Sequence, residues 1–126
     1  MKIDMKLLVF GNKYLKEDSM AIAVAEELEK NIDIEYCEDP WQLLNHEGEL
    51  FLLDVASNIN NVRRIEDVSE LDVGKSVSLH DLDLSYFLKL MKAIGKELKI
   101  TVIAVPPQGN AKKLADKVMK LLPDQL

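Results

Sequence analysis

Cysteine is nearly missing from these 126 residues: Cys37 is the only one. One thiol makes no internal disulfide and no thiolate zinc cage, and it suits a reducing compartment. Long apolar runs are missing as well. None approaches the roughly 20 residues that span a bilayer. Met1-Lys2-Ile3-Asp4 has neither an apolar h-region nor a small-residue cleavage site. The expectation is a cytoplasmic protein with no membrane partner. Positive charge is in deficit, with 16 Lys and Arg against 22 Asp and Glu and a net charge of -6. Such a surface repels phosphate backbones and anionic lipid heads. No basic stripe with interleaved aromatics offsets it, so nucleic acid is not an expected partner.

Familiar catalytic signatures are also lacking. The turn Gly11-Asn12-Lys13-Tyr14-Leu15 is not a dinucleotide fingerprint and has none of the extra glycines that let backbone approach a pyrophosphate. There is no phosphate loop, no nucleophile elbow around a serine and no helix with paired zinc-binding histidines. Flavin or nucleotide binding on an α/β scaffold is thereby the weakest of the functional readings.

What is present is the balance of a globular domain, 48% hydrophobic and 30% charged, in residues 1–126 taken as one unit. Apolar runs and amphipathic stretches alternate. Met5 to Phe10 reads as a buried strand that stops at Gly11-Asn12. From about Ser19 to Lys30, Met20, Val24, Ala25 and Leu28 recur at helical spacing, with Asp18 in the N-cap position. Ile32 to Tyr36 alternates like a half-exposed strand. Asp39-Pro40 opens a helical turn through Trp41, Leu43 and Leu44. Glu49 to Val55 reads as a central strand buried on both faces. Short strands are expected at Val62 to Ile65 and Lys75 to Leu79. A helix follows from Asp81 or Asp83 through Leu84, Phe87, Leu88, Met91 and Ile94, closed by Gly95. Leu98 to Val105 is a further strand, halted by Pro106-Pro107, and a last helix runs from about Asn110 to Leu122. The alternation predicts an α/β fold, a three-layer α/β/α sandwich around a mostly parallel sheet of about five strands.

In open α/β sheets, ligands collect outside the carboxyl ends of the strands. Asp18, Asp54 and His80 belong to segments that end there. Two carboxylates and an imidazole on one rim suit a divalent ion. Each also has a structural reading. Asp18 caps a helix, Asp54 ties down a backbone amide, and His80 caps a loop. Of the three, Asp54 is the hardest to assign to structure alone, because a carboxylate in so apolar a strand is costly to bury without a partner. His46, in Asn45-His46-Glu47-Gly48, reads as solvent-exposed. Cys37 reads as a small buried filler. Glu66, Asp67, Glu70 and Asp72 read as a solvated loop face.

These residues carry a family resemblance. Leu7-Leu8-Val9-Phe10-Gly11-Asn12, then Glu17-Asp18, then Ala21-Ile22-Ala23-Val24-Ala25-Glu26-Glu27-Leu28 resembles the opening of the hydrogenase maturation endopeptidases. Phe51-Leu52-Leu53-Asp54-Val55-Ala56 is similar to that family's aspartate closing an apolar strand. Ser78-Leu79-His80-Asp81-Leu82 is similar to its histidine before a helix, and Val102-Ile103-Ala104-Val105-Pro106-Pro107 to the strand after it. The resemblance implies a protease that removes the C-terminal extension of a nickel-iron hydrogenase large-subunit precursor after nickel insertion. It assigns Asp18, Asp54 and His80 as both the catalytic residues and the metal contacts, with nickel supplied by the precursor. The protein partner would be that precursor, and the chain itself a monomer or weak homo-oligomer. Lys13 replaces the family's usual proline, Ser19 its glycine, and Tyr36-Cys37-Glu38-Asp39-Pro40 its glycine-rich turn. These departures keep open a second reading, a non-proteolytic relative that binds a metalloenzyme precursor or peptide without cutting it.

Overall fold

The structure is a computed structural model and describes residues 3–11, 19–38, 40–46, 48–66, 91–95 and 99–123. Five strands form one sheet: β1 (Ile3–Phe10), β2 (Ile32–Cys37), β3 (Glu49–Val55), β4 (Arg63–Ile65) and β5 (Lys99–Val105). Two α-helices, α1 (Ser19–Leu28) and α2 (Ala111–Leu121), and a 3-10 helix, Pro40–Asn45, are described in full. The spatial order is β2-β1-β3-β5-β4. All pairings are parallel except that of β4 with β5, which is antiparallel. The expected α/β fold with a mostly parallel sheet of five strands is what the chain adopts.

Burial on both sides of the sheet explains why the strands read as near-continuous apolar runs. Alternate residues point to opposite faces. Leu7, Val9, Phe51, Leu53, Val55, Ile103 and Val105 pack against one side with Ala21, Val24, Ala25 and Leu28 of α1 and Leu114, Ala115 and Val118 of α2. In α1 these buried positions recur at three- and four-residue steps, the stripe an amphipathic helix presents to a sheet. Leu8, Phe10, Leu50, Leu52, Ile100, Val102 and Ala104 form the opposite core with Leu43 of the 3-10 helix and Met91. Residues 91–93 are helical, and Gly95 follows with φ 84°, the left-handed closure expected there. The rest of that expected helix, and the expected strand Lys75 to Leu79, lie outside the described residues.

The helix boundaries have local causes. Asn110 is the N-cap of α2, and its side chain accepts a hydrogen bond from the Lys113 N–H at 3.0 Å, satisfying a donor that the first turn leaves over. At the other end, Arg64 donates to the Leu121 carbonyl at 2.6 Å, which holds the end of α2 against β4. The same guanidinium lies 5.9 Å from the centre of the Phe51 ring and donates to Glu66 at 2.8 Å. No described helix is long and apolar enough to cross a membrane.

Candidate functional site at the strand carboxyl ends

The strand order sets where a ligand can sit. From β1 the chain crosses through α1 to β2 on one side, whereas β3 lies on the other side of β1. The direction of winding therefore reverses between β1 and β3, and the crevice outside their carboxyl ends is the switch point of the sheet. Asp54 is placed there. Leu53 pairs with Val9 across β3 and β1, so the next residues along, Asp54 and Phe10, flank the crevice just before Gly11.

Asp54 is fully buried, at 0% exposure, and is the one charged side chain buried among the described residues. Its Oδ1 accepts a hydrogen bond from the Val55 N–H at 2.8 Å. It points to the same face as Leu52, two residues earlier, and hence to the side of Phe10 and Ala104. A buried carboxylate is retained only where hydrogen bonds or cations compensate its desolvation. Tying a backbone amide, the structural role open to it in the sequence, is thus part of what it does.

The other two expected site residues, Asp18 and His80, lie outside the described residues. Ser19, which follows Asp18, is the first residue of α1. Among the described residues, no three His, Cys, Asp or Glu side chains gather into a group that could hold a metal ion. A carboxylate such as that of Asp54 belongs to the donor class that, with imidazole, accepts divalent transition metals.

The paired registers extend the Asp54 position into a row across the sheet. Phe10 pairs with Cys37 on one side, Asp54 pairs with Ala104 on the other, and Ala104 pairs in turn with Arg63. Arg63 attracted no attention in the sequence, where Val62 to Ile65 reads only as a short edge strand. Its signal is the alternation within Arg63-Arg64-Ile65. Ile65 packs in the core on the Asp54 side, so Arg63, two residues away, shares that side and Arg64 takes the other.

A second polar group sits beside β2. Glu35 accepts from Lys6 Nζ at 3.5 Å and is paired with His46 Nε2 at 3.1 Å, while the buried Cys37 thiol lies 3.6 Å from its Oε2. Cys37 is buried as expected. His46 is not the solvent-exposed loop residue it reads as in sequence: its side chain is 20% exposed and in hydrogen-bond contact with Glu35. The 3-10 helix folds His46 back onto β2, a return that local polarity does not encode. Burial pushes the Glu35 carboxyl up, but the bond and charge of His46, with the Cys37 thiol and Lys6, outweigh it and leave it below its usual 4.5. A folded value below the unfolded one means stability that is complete above the unfolded pKa and lost as pH falls through the folded one. Glu35→Gln is therefore expected to cost about 0.5–1 kcal/mol at neutral pH, and to flatten the loss of stability below about pH 5. Urea melts followed by circular dichroism between pH 3 and 7 measure both effects.

Across the turn after α1, the Tyr36 hydroxyl donates to the Glu29 carboxylate. Burial, the bond to Glu29 and the charge of Glu26 all raise the phenol pKa. The contact fastens the end of α1 to β2 and stays intact below the ordinary tyrosine range, its contribution fading only as pH rises beyond it.

No protein-family model, curated protein or solved structure matches the chain.

Proposed function

We propose first a class: an α/β protein whose ligand docks at the crevice between β1 and β3, against Asp54. Within that class we propose a maturation endopeptidase of the hydrogenase type, acting on the C-terminal extension of a nickel-iron hydrogenase large-subunit precursor. The observation that supports the reading is the burial of the Asp54 carboxylate at the switch point of the sheet. It coincides with the aspartate of the family-like motif Phe51-Leu52-Leu53-Asp54-Val55-Ala56.

In this reading Asp18, Asp54 and His80 take hold of nickel that arrives with the precursor. The ion supplies Lewis acidity, at the scissile carbonyl or at a bound water. The single buried Cys37 suits work in a reducing, cytoplasmic compartment. The test is incubation with a nickel-loaded precursor, read by intact mass. The wild type is expected to remove the extension, whereas His80→Ala and Asp18→Ala leave the precursor mass unchanged. Processing by both variants at the wild-type rate would falsify the assignment.

One observation favours the second reading, binding without cleavage. After β2 the chain enters the 3-10 helix Pro40–Asn45, which buries Leu43, where the family-like pattern calls for a glycine-rich turn that lets a peptide backbone come close. A stable complex of wild type and precursor, with no change in precursor mass, is the result expected of such a binding module.

A further inference from the structure

We draw no further inference here: the strongest candidate, the Glu35, His46 and Cys37 side-chain cluster where the 3-10 helix folds back onto β2, has its carboxylate already taken up by Lys6, His46 and the Cys37 thiol, and nothing among the described residues points to a ligand for it.

Discussion

Asp54→Asn is expected to slow processing of a nickel-loaded precursor by about 10³-fold or more, the loss that follows when several kcal/mol of metal-borne stabilisation disappears, while the melting temperature stays within a few degrees of the wild type. Asparagine has the same shape and keeps an oxygen for the Val55 N–H, which Asp54 holds at 2.8 Å. It removes the charge and puts an NH2 donor in place of the second carboxylate oxygen. Because burying a carboxylate at 0% exposure carries a desolvation cost, its neutral isostere is not expected to destabilise the strand. Alanine differs, since it also leaves the Val55 amide buried without its acceptor, a cost of about 1–3 kcal/mol. The pair of variants thus separates chemistry from scaffolding. Single-turnover rates by intact mass and melting by calorimetry read the two quantities. If Asp54→Asn processes normally and only Asp54→Ala is impaired, in proportion to its lost stability, the carboxylate is a structural anchor and the peptidase proposal fails.

The second large effect concerns the sheet. Leu52→Ala and Leu53→Ala are expected to cost about 2–5 kcal/mol each, the range for truncating a packed leucine. The melting temperature should fall by roughly 10 °C in each case. The two residues are neighbours in β3, both at 0% exposure, yet they enter opposite cores, Leu53 with the helices and Leu52 with Leu43 and Met91. A sheet wetted on one face would tolerate one of the two changes at little cost. Denaturant melts of both variants measure the difference, and a cost under about 0.5 kcal/mol for Leu52→Ala, the size of an exposed substitution, would show that its face is open to water.

Local pattern made much of this architecture readable. Glu49 to Val55 announces a central strand because a strand buried on both faces has no polar alternation to keep. Gly95 and Asn110 mark helix ends because a left-handed closure and a side-chain acceptor are needed at those points. Asp54 stood out for the same kind of reason, as a charge at variance with its apolar surroundings. Long-range facts were not readable. Nothing in Lys99 to Val105 says that it pairs with both β3 and β4, and that pairing alone brings Arg63 onto the row of Asp54. His46 misled for a related reason. Its neighbours are polar, but its partner Glu35 lies 11 residues earlier and reaches it only because the 3-10 helix turns back. Asp18 and His80 are expected at strand ends from residue type and pattern alone, and both lie outside the described residues.

The sheet order has a consequence for synthesis on the ribosome. β4 leaves the exit tunnel well before β5, yet among the described residues its only partner in the sheet is β5. Until residue 105 has emerged, the described strands of a nascent chain can assemble only the three-stranded piece β2-β1-β3, with β4 unpaired and the β3 edge bare. Inserting β5 between them brings together segments distant in sequence, and is then the late and entropically costly event. The exposed β3 edge is the surface on which a chaperone would act, or two unfinished chains would join. Fragments stopped before β5 should for this reason aggregate, and should lack Asp54 and Arg63 in their joint arrangement.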